Sequence, residues 1–82
     1  MVHDFTLVYA LSPELDAQDE VMRRLADSDC ADATVGWGLP GYVALAFSRE
    51  AMDRNAAVAL AVAQMRRVLP GAPLVKAEAG SP

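Results

Sequence analysis

The chain has 82 residues, a hydrophobic fraction of 54% and a formal net charge of −4. This length allows one small domain, and the acidic balance makes the chain a poor candidate for binding nucleic acid by itself. The single cysteine, Cys30, excludes an internal disulfide and a paired-cysteine metal site. With no secretory signal and no apolar stretch of membrane-spanning length, the sequence predicts a cytoplasmic protein without a membrane partner.

The first two elements are predicted to be a strand and a short helix. Residues 5–11, FTLVYAL, are rich in β-branched and aromatic side chains and precede Ser12-Pro13, which favours a strand. A helix is expected after Asp16, a suitable N-cap residue, with acids in its first turn and arginines later. The side chains expected on its buried face are Val21, Met22 and Leu25.

Two apolar segments, ATVGWG and YVALAFS, predict a β-hairpin around Leu39-Pro40-Gly41. Residues 36–41, GWGLPG, also fit the G-x-G-x-x-G spacing of dinucleotide-binding loops. In those loops a helix N-terminus follows the glycines and binds the phosphates, whereas a strand follows here. The hairpin is therefore interpreted as structural, with a positive φ at Gly41 and no cofactor.

A second helix and a final strand complete the chain. The Ala-rich segment after Asp53, its expected N-cap, predicts a helix that stops at Pro70-Gly71. Its predicted buried stripe consists of Val58, Ala61, Val62, Met65 and Leu69. The segment APLVKAEA, residues 72–79, is expected to form the last strand, within a domain spanning 1–78 and followed by a flexible tail or linker over 79–82.

The order β-α-β-β-α-β predicts an α+β, ferredoxin-like sandwich. With right-handed crossovers, this order gives an antiparallel sheet of strand order 4-1-3-2, with both helices on one face. The opposite face, here called the open face, should carry Thr6, Val8, Ala10, Ala44 and Ala46. Unpartnered sheet faces normally carry polar residues, so these small apolar residues predict a dimer or a docked partner. The expected interface also includes Trp37 and Tyr42.

No catalytic, cofactor or metal residue is predicted. His3 lies near the N-terminus without a second metal ligand, and the acids around Cys30 should raise its pKa and blunt its reactivity. Asp27, Asp29 and Asp32 lack the spacing of a calcium loop and are interpreted as a solvated turn.

Two arginine pairs allow two interpretations. If both helices run antiparallel to parallel central strands, their C-terminal ends lie together, and the pairs form one basic patch. Its members would be Arg23, Arg24, Arg66 and Arg67. In the first interpretation, these arginines stabilise the C-terminal ends of the helices through the helix dipole and keep the protein soluble. In the second, they form a site for an anion or an acidic partner.

Four segments, FTLVYAL, VGWGLPG, VALAFSREA and RRVLPGAPLV, resemble the N-terminal domain of small bacterial helix-turn-helix regulators. The resemblance covers nearly the whole chain, but the helix-turn-helix region of those proteins is missing from it. It implies that DNA is bound only by that missing region, while the part present dimerises, senses a ligand or binds a partner.

Three hypotheses follow. The first is a non-enzymatic oligomerisation domain of a DNA-binding regulator, forming homodimers or higher homo-oligomers through the open face. The second is an ACT-like sensing domain, whose small-molecule effector binds at a subunit boundary near the hairpin at 36–41. The third is a small dimeric ferredoxin-like enzyme, which is weakened by the lack of a His, Asp or Arg set facing the sheet.

Overall fold

A computed structural model describes residues 1–11, 18–37 and 40–79 as an α+β domain. Its elements are β1 (Val2–Ala10), α1 (Gln18–Ala26), β2 (Thr34–Gly36), β3 (Tyr42–Glu50), α2 (Arg54–Val68) and β4 (Leu74–Ala79). The predicted order of strands and helices is confirmed. β1 begins three residues earlier than predicted, and β4 begins two residues later. Neither of these two helices is both long and apolar enough to cross a membrane.

The four strands form one antiparallel sheet of order β2-β3-β1-β4. Read from the other edge, this is the predicted order 4-1-3-2. The two central strands pair along their whole length, from Val2 opposite Glu50 to Ala10 opposite Tyr42. Because opposed residues in such a ladder lie on the same face, this register fixes which side chains share each face.

One face of the central strands is covered, and the alternation of burial shows which. Phe5, Leu7 and Tyr9 of β1 are buried, as are Val43, Leu45 and Phe47 of β3; these six residues are called the covered face. The Phe5 and Phe47 rings stack, with 5.3 Å between their centroids. Side chains of both helices join the same core, so the helices lie against this face and leave the other free.

Helix α1 contributes few residues to the core because it is short. Val21 and Leu25 are buried, but the prediction for Met22 is wrong, since its side chain is 45% exposed. Val21 and Leu25 are four residues apart and lie above one another on the helix, whereas Met22 is rotated by about 100° from Val21. The predicted cap, Asp16, lies outside the described residues.

The hairpin between β2 and β3 turns at Pro40 and Gly41. Gly41 has a φ of 80°, which fits the third position of a type II turn and confirms the predicted positive φ. Its carbonyl accepts a 2.8 Å hydrogen bond from the N–H of Leu11, so the turn is tied to the end of β1. Gly38 and Leu39 lie outside the described residues.

Helix α2 begins and ends as the sequence predicts. The Asp53 carboxylate accepts a hydrogen bond from the N–H of Ala56 at 2.7 Å, which satisfies one of the free donors of the first turn. Ala61, Met65 and Leu69 are buried as predicted, and Ala57 and Val68 are the other buried residues. Val58 and Val62 are half-buried beside them. Ala57 is buried more fully than its neighbour Val58, although valine is the more hydrophobic residue.

Candidate interaction surface

The open face lies where the sequence predicts it, on the side of the sheet away from the core. Val8 pairs with Ala44 and Thr6 with Ala46 across the two central strands. The two rows extend outward to Gly36 and Thr34 on β2 and to Lys76 and Glu78 on β4. The middle of this surface therefore carries only alanine, valine, threonine and glycine.

Charged residues lie around the open face rather than in it. Asp4 pairs with Ser48, and Glu50 lies opposite Val2, at one end of the central strands. Along the β4 side, Lys76 and Glu78 form an ion pair with each other. An uncharged centre with a polar rim is also the general layout of protein–protein interfaces.

The dimensions of the open face limit the partner it can bind. With about 3.3 Å per residue and 4.8 Å between strands, the four strands present roughly 450 Å² in projection. Two such faces in contact would bury about 900 Å² in projection, at the small end of specific interfaces.

Tyr42 and Trp37, the two aromatic residues of the predicted interface, are placed differently. Tyr42 is 40% exposed and extends the open face beside its pairing partner, Ala10. Trp37 is half-buried and packs against the core. Side chains alternate along a strand, so Val35 and Trp37 point to the opposite side from Gly36. Trp37 therefore lies on the covered side of the sheet and does not join the open face. The G-x-G-x-x-G segment, residues 36–41, is followed by β3 and not by the helix that a dinucleotide-binding loop requires.

The structure brings two of the four arginines to one hollow. The predicted parallel direction of the central strands is wrong, because β1 and β3 are antiparallel to each other. Arg24 and Arg67 line one surface hollow of about 420 Å³, together with Asp27 and Asp29. Arg66 lines a different hollow. The shared hollow thus carries charges of both signs.

The arginines of α1 have partners within their own helix. Glu20 accepts hydrogen bonds from both Arg23 and Arg24, and these bonds hold the pKa of the Glu20 carboxyl below its ordinary value. Arg24 also lies 3.5 Å from the Val68 carbonyl at the end of α2. These contacts fit the interpretation as helix stabilisation; an anion site remains a prediction.

A polar cluster that the sequence did not reveal surrounds Arg49, at the end of β3. Its guanidinium donates hydrogen bonds to both Asp32 carboxylate oxygens, at 2.9 and 3.1 Å, and to the Asp29 carbonyl at 3.0 Å. It also donates to Gln64 of α2, and it lies 4.7 Å from the centre of the Phe47 ring. The cluster joins the loop after α1 to β3 and α2, so it closes one end of the core.

The electrostatics of this cluster are those of a structural ion pair. The hydrogen bonds from Arg49 hold the pKa of the Asp32 carboxyl below its ordinary value of 3.8, and burial opposes them. The same bonds raise the pKa of Arg49. Both groups therefore remain charged and paired across the neutral range. The residues lie 17 positions apart in the chain, and no local motif indicates such a pair.

Cys30 and His3 lie away from the open face. Burial is the largest of the effects that raise the pKa of the Cys30 thiol; the nearby acids add to it, and Arg49 opposes it. The predicted direction is confirmed, although burial rather than the acids dominates. His3 lies opposite Arg49, and its Nε2 is buried without a hydrogen-bond partner in the described part of the chain.

Within residues 1–11, 18–37 and 40–79, no three His, Cys, Asp or Glu side chains converge as metal ligands. No protein-family model, curated protein or solved structure matches this chain. Any function of the open face must therefore be inferred from its own geometry.

Proposed function

We propose that this chain is a non-enzymatic interaction module that binds a second copy of itself through the open face. The observation that carries the proposal is the uncharged, small-residue centre of a sheet face that neither α1 nor α2 covers. Thr6 and Ala46 pair across the central strands, as do Val8 and Ala44. A surface without bulky or charged side chains at its centre allows close approach of another sheet.

A second copy is the partner that this surface suits best. In a two-fold dimer the same patch meets itself, so a patch whose centre carries charge of one sign would repel its copy. The open face has no charge at its centre, and its β4 rim carries one charge of each sign, on Lys76 and Glu78. Sheets packed face to face lie about 10 Å apart, which small side chains such as Ala44 and Thr6 readily allow.

The wider placement of the module is part of the same proposal. The order β-α-β-β-α-β with strand order 4-1-3-2 supports a ferredoxin-like assignment. The resemblance to the N-terminal domain of bacterial helix-turn-helix regulators supports a role in a cytoplasmic DNA-binding regulator, with DNA bound elsewhere. The alternative, an effector site beside the hairpin at 36–41, falls partly outside the described residues and stays a prediction.

A matched pair of substitutions tests the open face. Ala44→Asp places a carboxylate at its centre, and desolvating two such charges should weaken self-association by at least about tenfold. Ala63→Asp makes the same change on α2, where the side chain is exposed on the side of Asp29 and Arg67 rather than of β4, and should leave association unchanged. Light scattering over a concentration series measures both, and circular dichroism confirms that both fold. Equal association of Ala44→Asp and the unmodified chain would refute the proposal.

A further inference from the structure

Strand β4 forms one edge of the sheet, and its outer side has no strand partner in the described part of the chain. The other edge, β2, has three residues, whereas β4 has six. A strand edge presents unpaired N–H and C=O groups that can pair with another chain. Of the two edges, β4 is long enough for a ladder of several hydrogen bonds.

The helix-facing side of β4 is also left uncovered. Helix α2 packs mainly over β1 and borders Ala77 and Glu78 only across a surface hollow, and Leu74 and Val75 remain 40% and 55% exposed. Ala77, further along the strand, is exposed as well. A bulge at Val75 interrupts the pairing with β1, so the regular part of the edge runs from Lys76 to Ala79. The strand thus carries an exposed apolar strip beside its free edge.

The charges on β4 suit a particular pairing. Lys76 and Glu78 lie on the same face of the strand, opposite Val8 and Thr6, with Ala77 between them. If two copies of β4 pair antiparallel around a two-fold axis at Ala77, Lys76 of each copy lies opposite Glu78 of the other. Opposite charges facing each other across an antiparallel pair stabilise it, and like charges destabilise it.

We propose that β4 pairs with β4 of a second copy, antiparallel and centred on Ala77, to form a continuous eight-stranded sheet. Residues directly opposite across the axis are then Ala77 with Ala77 and, on each side of it, Lys76 with Glu78. This interface is separate from the contact between open faces and does not depend on it. If both interfaces form, a pair of chains joined through β4 presents twice the open-face area of a single chain.

The helix layer permits this pairing. Because α2 lies over β1, the two copies of α2 would be separated by about three strand spacings, or roughly 14 Å. Directly packed helices lie 8–10 Å apart, so the second helix does not collide with the first. The remaining space between them is filled by the exposed Leu74, Val75 and Ala77 of both copies, which removes this apolar strip from water.

Cysteine cross-linking tests the register. In a Cys30→Ala background, Ala77→Cys places two thiols directly opposite each other, about 5 Å apart between Cβ atoms; a disulfide requires about 4 Å. Ala79→Cys is the matched control, because its two copies would lie roughly 13 Å apart along the strands. Under mild oxidation, Ala77→Cys should form a covalent dimer and Ala79→Cys should not. Failure of Ala77→Cys, or equal cross-linking of both variants, overturns the proposal.

Charge reversal tests the pairing without oxidation. Lys76→Glu or Glu78→Lys alone sets like charges opposite each other twice across the axis, and each should weaken association by about tenfold. The double exchange, Lys76→Glu with Glu78→Lys, restores both opposite-charge pairs and should recover association to within about threefold. The Ala44→Asp background separates the two interfaces, because it removes open-face contacts and leaves the edge free. If the double exchange binds no better than the single variants, the proposed register is wrong.

Discussion

The two faces of the central strands are built from alternating residues of the same segments, yet they differ in size and burial. The covered face carries three aromatic rings, two leucines and a valine, all buried under the helices. The open face carries three alanines, a valine and a threonine, which are half-buried or exposed. Since neither face is charged at its centre, the absence of charge does not by itself identify the core.

Side-chain size distinguishes the two faces. Large residues fill the space between a sheet and its helices at close to crystalline density, and Leu7 and Leu45 are fully buried in this way. Small residues fill no such space, but they allow a second flat surface to approach. We therefore expect substitutions on the covered face to change folding stability and, if the proposed dimer forms, substitutions on the open face to change association.

The largest expected difference in stability is between substitutions of two adjacent residues of β1. Leu7→Ala should lower the free energy of unfolding of the monomer by about 3 kcal/mol, because it leaves a cavity among fully buried side chains. Val8→Ala, on the open face, should cost less than about 1 kcal/mol, since Val8 is only half-buried. Urea titrations at low protein concentration measure both values. Similar losses for the two variants would contradict the division between faces.

A smaller loss is expected where the Arg49 cluster closes the end of the covered face. Arg49→Ala removes the paired bonds to Asp32 and leaves the Asp29 carbonyl and Gln64 without their donor. We expect the free energy of unfolding to fall by about 2 kcal/mol, with the association of the folded protein unchanged. Thermal unfolding and light scattering give the two measurements, and a change in association alone would place Arg49 in an interface instead.

The partner of Arg49 gives a weaker, pH-dependent effect. The pKa of Asp32 is lowered in the folded protein, so its contribution to stability is present above 3.8 and is lost as the pH falls through the lowered value. Asp32→Asn should cost at most about 1 kcal/mol at neutral pH, because the Asp32 side chain is 46% exposed. The difference from the unmodified protein should shrink below pH 3.8. A constant difference in acid titrations of unfolding would exclude this ion pair.

The smallest effect on the monomer is expected at Gly36, beside the open face. A Cβ there would lie 3.8 Å from the Ala44 Cβ, an ordinary contact. Gly36→Ala should therefore change monomer stability by no more than about 0.5 kcal/mol, while the added methyl group should weaken association between open faces. Unfolding and sedimentation measurements on the same variant distinguish the two effects. Unchanged association would show that no second chain approaches Gly36 closely.

Elements and strand order were predictable because local signals agreed with one another. The Asp53 cap, the Pro40-Gly41 turn and the alternation along β1 each indicated the element that the structure contains. The residues of the open face could be predicted too, because the alternation of side chains gives the face of each residue and the strand order gives its neighbours.

Contacts between distant segments were not predictable from local patterns. The Arg49 cluster depends on loop, strand and helix meeting in space, and its residues share no spacing that marks them in the sequence. The premise of the arginine patch, parallel central strands, was wrong, although Arg24 and Arg67 do line one hollow. Val58 and Val62 of the predicted stripe are only half-buried, because the rotation of a helix against a sheet is set by the fit of side chains.

Sedimentation velocity of the unmodified chain, from low to high micromolar concentration, tests the central claim most directly. The account predicts a reversible, concentration-dependent increase in mass from monomer to dimer, and further to tetramer if the β4 edges also pair. A single species with the mass of one chain throughout this range would contradict the assignment of the open face to self-association.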